Sequence, residues 1–293
     1  MATKIEWCKN PDGSKGEVWN PVTGCTKVSA GCLNCYAERM HKRFSDTPFS
    51  DVVLHSDRLV RPYQWRKPRT VFVCSMGDLF HDSVPFDFVE QVFSVMTVCN
   101  DHKYVVLTKR PQRMQAFCDQ HTRSDTFKHW PFDNVIIGTS IEDQATADER
   151  IPWLLKTPAA CRMVSYEPAL GAVDLTTISK PGQGSVQANV LDEHGYCCGL
   201  KWVVCGGEAG HGARPMNPEW ARAMRDQCAE AGVPFFFKQW GEWLKSPIPD
   251  PYTQSSRVVD TGSGRYIRVG KRAAGHMLDG KLHNALPDIL TCS

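Results

Sequence analysis

Short runs of β-branched and aromatic residues recur along the chain, each followed by polar residues and then by apolar residues at helical spacing. That alternation is the signature of βα units feeding a parallel sheet. The runs EVWNPV (17–22), VFVCS (71–75), YVVLT (104–108), NVIIGTS (134–140), RMVSYE (162–167), KWVVCGGE (201–208) and PFFFKQW (234–240) predict strands. Most are nearly continuous in apolar character, as expected of strands covered on both faces. Helices are predicted at about 33–44, 85–100, 111–118, 142–156 and 217–231, with Pro85, Pro111 and Pro218 where helix starts tolerate proline.

Polar residues gather just beyond nearly every strand: Thr23 and Cys25; Ser75, Gly77 and Asp78; Lys109 and Arg110; Ser140 and Glu142; Glu167; Glu208; Lys238. In a parallel barrel these positions share one face, the face that carries active sites. The pattern therefore predicts an α/β fold, a partial parallel (β/α)6-7 barrel, with a doubly wound open sheet as runner-up. Residues 1–245 are assigned to the barrel and 246–293 to a C-terminal extension packing on it. That extension comprises a proline-rich link (SPIPDPY), a hairpin around Gly262 and Gly264, and the tail GKRAAGHMLDGKLHNALP. Residues 176–200 read as a long loop or small hairpin.

Composition narrows the setting. At 42% hydrophobic residues, the 293-residue chain is a packed globule rather than a disordered one. MATKIEWCKN lacks the apolar core of a signal peptide, and no run of about eighteen apolar residues occurs, so a cytoplasmic location without membrane insertion is expected. The thirteen cysteines are then thiols or metal ligands before they are disulfides. Cys74, Cys99, Cys161 and Cys205 lie in apolar runs and read as core. A net charge of +2 neither demands nor excludes a polyanionic partner.

Cys25, Cys32 and Cys35 stand apart, spaced C-x6-C-x2-C, with Gly24 and Gly31 before the first two. Three thiolates can hold three irons of a [4Fe-4S] cluster and leave the fourth iron open to another ligand. A zinc site would need a fourth donor such as His41 or Cys8. Packed thiols without metal are the third reading. Cys197 and Cys198, adjacent to each other and without an obvious further partner, are not expected to form a second cluster.

A three-cysteine motif in the loop after the first strand of a partial parallel barrel resembles the radical S-adenosylmethionine (SAM) superfamily. Within it, IEW near the start, WNPVTGC, CLNCYAER (32–39) and the tail GKRAAGHMLDG are most similar to a phage-associated, largely uncharacterised three-cysteine family. The superfamily's common spacing is C-x3-C-x2-C with an aromatic before the last cysteine; here the first gap is six and the aromatic, Tyr36, follows. The resemblance implies a [4Fe-4S] cluster on Cys25, Cys32 and Cys35, SAM on the open iron, and reductive cleavage to a 5′-deoxyadenosyl radical that abstracts hydrogen from a substrate. It implies a reductant protein such as a flavodoxin or ferredoxin.

The resemblance, taken with position on the active face, implies Tyr36, Ser75, Gly77, Asp78, Lys109, Arg110, Thr139, Ser140 and Glu142 as the candidate SAM contacts. Ser140 with Asp143 is equally close to a helix capping box. Glu167, Glu208 and Lys109 are the candidates for proton transfer or substrate orientation. Arg58, Arg61, Arg66, Lys67 and Arg69, interleaved with Tyr63 and Trp65, suit a single-stranded nucleic acid or a flipped base, so a nucleotide or DNA substrate is preferred. An amino acid or peptide substrate, and a non-catalytic zinc-stabilised nucleic-acid-binding protein, are the alternatives.

Overall fold

The computed structural model describes residues 3–121, 127–179, 187–192, 199–246 and 258–291. Cys197, Cys198 and all of the proline-rich link after Ser246 lie outside them.

Seven strands form one parallel sheet: β1 (Glu17–Trp19), β4 (Thr70–Val73), β5 (Lys103–Thr108), β6 (Val135–Ile141), β7 (Cys161–Tyr166), β10 (Trp202–Gly206) and β11 (Phe235–Gln239). Neighbours in space follow the order in sequence, every pair being parallel. A doubly wound sheet reverses direction at a switch point, and this one never does. The sheet is a partial parallel barrel, as the alternating pattern predicts. Helices α2 (Phe86–Val98), α3 (Pro111–His121), α4 (Gln144–Lys156) and α5 (Pro218–Glu230) lie between successive strands. Right-handed crossovers in constant order place them on one side.

Period-2 alternation assigns each strand residue a face. Val71, Val73, Tyr104, Val106, Ile137, Val164, Val203, Cys205 and Phe237 join the larger core with the helices. Val105, Ile136, Met163, Val204 and Phe236 point the other way, into a smaller core closed by Trp7, Trp202 and Leu290. The concave side is thus plugged with apolar side chains toward the N-terminal ends of the strands, and its polar residues stand at the C-terminal ends.

Two short antiparallel strand pairs flank the sheet. β2 (Val22–Thr23) pairs with β3 (Val53–Leu54), and β8 (Ile178–Ser179) with β9 (Gln187–Ala188), within the segment read as a loop or hairpin. The expected strand 17–22 is therefore split at Asn20. A three-stranded sheet of β12 (Trp243–Lys245), β14 (Gly264–Arg268) and β13 (Val258–Thr261) follows, its first strand drawn from the end of the unit assigned to 1–245. Past it come two short helices, α6 (Lys271–Ala274) and α7 (Asp288–Thr291). Residues 283–285 bond along edge strand β11, Phe237 N–H donating to the His283 carbonyl at 2.7 Å, and so cover an exposed edge. No helix among the described residues is long and apolar enough to cross a membrane.

Candidate functional site

The cysteine loop leaves β2 through Gly24, where φ is +89°. A Cβ there would lie 2.4 Å from the Asp51 carbonyl oxygen, and the Gly24 N–H donates to the Met76 carbonyl at 3.0 Å. Only glycine combines that backbone angle with that approach. The loop then turns through a 3₁₀ segment, Ala30–Cys32, and Cys35 caps helix α1 (Tyr36–Phe44). Gly31 rests on Glu142, whose Oε1 would be 2.4 Å from an added Cβ and accepts a bond from Ser29 Oγ at 2.9 Å. The expected helix start at 33 gives way to the cysteine turn.

Helix α1 buries only Ala37 and is held by polar contacts at both flanks of the barrel mouth. Tyr36 Oη donates to the Ser75 carbonyl beyond β4. Arg39 donates to the Ala209 carbonyl at 2.8 Å and the His211 carbonyl at 3.1 Å beyond β10. Half-exposed as a residue, Tyr36 has its hydroxyl end inside the mouth: burial, then the charges of Cys35 and Glu167, push the phenol pKa up.

Cys25, Cys32 and Cys35 are partly accessible, as is Cys99, which was expected in the core but packs only partly buried against it, whereas Cys8, Cys74, Cys118, Cys161, Cys205 and Cys228 are buried. By type, number and access the three donors fit a three-thiolate metal or cluster site. Among the described residues no three His, Cys, Asp or Glu side chains already converge on a metal-sized space, so ligation requires these thiols to turn toward one another. Their electrostatics differ. Burial, with the nearby Asp78 charge, pushes Cys25 up to about 11, against the pull of Arg110 Nη1 at 3.5 Å from its Sγ. Cys32 is also burdened by burial, but Lys109 and hydrogen bonds from the backbone of Val28 and Ser29 outweigh it and lower its pKa.

The strand-end residues buttress this loop. Arg110, buried, donates to Asp78 Oδ2 at 3.0 Å and to Thr26 Oγ1 at 2.8 Å and its carbonyl at 3.2 Å. Asp78 Oδ1 also accepts from Thr108 Oγ1 at 2.8 Å and Phe80 N at 2.9 Å. His81 Nε2 meets Thr26 Oγ1 at 2.9 Å while its Nδ1 accepts from Ser83 N–H. Burial and Arg110 lower the His81 pKa, so the neutral ring with hydrogen on Nε2 fits both contacts. Glu142, fully buried, is bonded by Ser29, Lys109 and Arg150. Lys109 thus stands between Glu142 and Cys32.

Of the remaining candidates, Ser75 Oγ donates to Asn20 Oδ1 at 3.2 Å, and Gly77 bridges Gly24. Thr139 is fully buried, its hydroxyl spent on the Thr108 carbonyl at 2.8 Å. Ser140 belongs to β6, its carbonyl taking Arg150 Nη1 at 2.7 Å. The capping box of α4 is made by Asp143 with Thr146, not by Ser140 with Asp143, because the strand continues to Ile141.

Glu208 reaches the loop from β10. It accepts from Asn34 Nδ2 at 3.0 Å and from the Arg214 backbone and guanidinium at 2.8–2.9 Å. Burial opposes, but these donors hold its carboxyl below the usual range. Arg214 in turn donates to the Ala30 carbonyl at 2.9 Å. Glu167 pairs with Lys238 Nζ at 2.8 and 2.9 Å, and that carboxylate raises the lysine pKa despite burial. Arg214 and Ser29 carried no signal in the sequence, whereas Lys238 stood among the polar residues expected at the strand ends.

The basic stretch 58–69 is not one surface. Arg58 Nη1 donates to the Asn20 carbonyl at the rim. Lys67 and Arg69 lie at the other end of the sheet, where their charges add to Ser14 hydrogen bonds in lowering the Asp12 pKa. In the tail, Arg265 pairs with Asp260 and Lys271 with Glu6.

A family described as "Protein of unknown function (DUF5131)" matches residues 2–287. Among solved structures, a cysteine-to-serine mutant of spore photoproduct lyase aligns with 92% of this chain and 72% of its own, at 11% identity and a TM-score of 0.40. Spore photoproduct lyase complexed with dinucleoside spore photoproduct aligns over 84% and 66%, at 12% identity and a TM-score of 0.39. No curated protein matches.

Proposed function

The chain belongs to the DUF5131 family, and we propose that it is a radical-SAM enzyme acting on a nucleotide or nucleic-acid base, phage DNA modification being one setting. The observation that carries this reading is the loop itself. Three partly accessible thiols stand on a glycine-hinged turn at the C-terminal rim of a partial parallel barrel, the rim that holds active sites in such folds. Cys25, Cys32 and Cys35 would hold a [4Fe-4S] cluster. When bound, the cluster and SAM would supply one-electron cleavage to methionine and a 5′-deoxyadenosyl radical, the electron coming from a flavodoxin- or ferredoxin-type donor.

The chain's own residues position and shield. Arg110 locks Cys25 and Thr26 to Asp78, and Glu142 supports the turn from below through Ser29. Lys109 places a cation beside Cys32, which favours its thiolate. Glu208, through Asn34 and Arg214, fixes the far side. Tyr36 spans the mouth from the loop to Ser75 and narrows access for water.

Anaerobic reconstitution with iron and sulfide, followed by dithionite and SAM, should yield 5′-deoxyadenosine by mass spectrometry, and Cys32→Ala should abolish it. A colourless protein with stoichiometric zinc under the same treatment would overturn the reading in favour of a zinc-binding protein.

A further inference from the structure

Four of the carboxylates described above reach the barrel mouth, and three are consumed by the fold, Asp78 by Arg110 and Thr108. Glu142 is held by Ser29, Lys109 and Arg150, and Glu208 by Asn34 and Arg214. Glu167 has one hydrogen-bonding partner among the described residues, Lys238, and both side chains retain partial exposure, 21% and 16%. The pair spans an intervening strand: Glu167 follows β7, Lys238 lies in β11, and β10 runs between them. Gly206 of β10 makes that reach practicable, since a Cβ there would sit 3.3 Å from Glu167 Oε1 and 3.4 Å from Lys238 Cβ. The apolar plug lies deeper, so the pair is the polar floor of the mouth.

A carboxylate carries about four acceptor sites and an ammonium three donors, so a single mutual pairing leaves both groups able to bond further. Their spacing of 2.8 Å presents an acceptor beside a donor. The complementary ligand edge has a donor beside an acceptor, as on the Watson–Crick edge of a nucleobase. A single trans peptide group does not offer this, because its N–H and C=O point in opposite directions, whereas the N–H and C=O of one extended residue do share an edge. We infer that Glu167 and Lys238 form the binding site for the substrate's base edge, Glu167 accepting its N–H and Lys238 donating to its adjacent oxygen or nitrogen. The inference rests on the nucleobase reading above.

Equilibrium dialysis of the four deoxynucleosides against the cluster-loaded protein without SAM tests it, with N-methylacetamide as the single trans-amide probe. At least one deoxynucleoside should bind at millimolar concentration and the amide should not. Lys238→Met and Glu167→Gln should each weaken that binding about tenfold or more, the scale of a lost bidentate contact, while Lys245→Met leaves it unchanged. Should either single variant fail to fold, the double variant, which strands no lone charge, carries the comparison. Undiminished binding in the folded variants, no deoxynucleoside binding by the wild type, or equal binding of the amide would each overturn the assignment. Dialysis does not depend on SAM cleavage, so its failure is distinguishable from absence of 5′-deoxyadenosine.

Discussion

Replacing Arg110 by Met keeps most of the side-chain volume and deletes four contacts: Asp78 at 3.0 Å, Thr26 Oγ1 at 2.8 Å, the Thr26 carbonyl at 3.2 Å and Cys25 Sγ at 3.5 Å. The pair is nearly dry, with side-chain exposures of 9% and 7%. Asp78 Oδ1 keeps Thr108 and Phe80, but Oδ2 is left with only a long contact to Lys109 N at 3.4 Å. Breaking a buried pair in this way costs about 3–5 kcal/mol. For a 293-residue chain the melting entropy is roughly 0.6 kcal/mol/K, so the melting temperature should fall by about 5–8 °C. Calorimetry of the reduced protein, for wild type, Arg110→Met, Asp78→Asn and the double variant, measures it. The double should lose less than the sum of the singles, by a coupling of about 1–3 kcal/mol. Additive losses, or a single-variant melting point within about 1 °C of wild type, would refute the clamp.

Cys25→Ala, Cys32→Ala and Cys35→Ala should each abolish bound iron by elemental analysis, while Cys99→Ala keeps it; wild-type iron in all three would defeat the ligand assignment. Gly24→Ala should destabilise by about 1–2 kcal/mol from its φ alone and more from contact with Asp51, seen as a lower urea midpoint and weaker iron retention. Asp279, held to about 2 by hydrogen bonds from Arg222 and Arg225, contributes stability that is full above its ordinary value of 3.8 and lost as pH falls toward 2. Acid titration should therefore loosen the tail from α5 in that window, read by proteolysis, and Asp279→Asn should show the looser tail already at neutral pH.

The strands were legible because both faces of this sheet are covered, which makes each run continuously apolar, and Val71 through Phe237 fall where those runs predict. The rim was legible too, since polar residues after an apolar run have nowhere else to go in a parallel sheet. Its internal pairing was not. Asp78 meets Arg110 and Lys109 meets Glu142 across adjacent loops, and sequence spacing carries no record of which loop faces which. The basic stretch looked like one surface because its residues are consecutive. Between Ser56 and Thr70, however, the chain runs through two 3₁₀ turns from rim to base, and its charges are spread along that path. Pro152, buried within α4, shows that a helix pattern can carry proline where tertiary packing compensates.

The plug of the barrel is made from both ends of the sequence. Trp7 and Leu290 share one cluster with Trp202, whose indole N–H reaches the Ala285 carbonyl at 3.1 Å, and Glu6 is tied to Lys271 at 2.8 Å. During synthesis the concave face of the sheet, Ile136 and Met163 included, must wait uncovered until residues 283–290 have emerged. Contacts of such sequence separation are slow to form, and exposed strands are the species that aggregate. Removing the tail should therefore be felt first as a loss of soluble yield, before any loss of chemistry at the opposite end of the barrel.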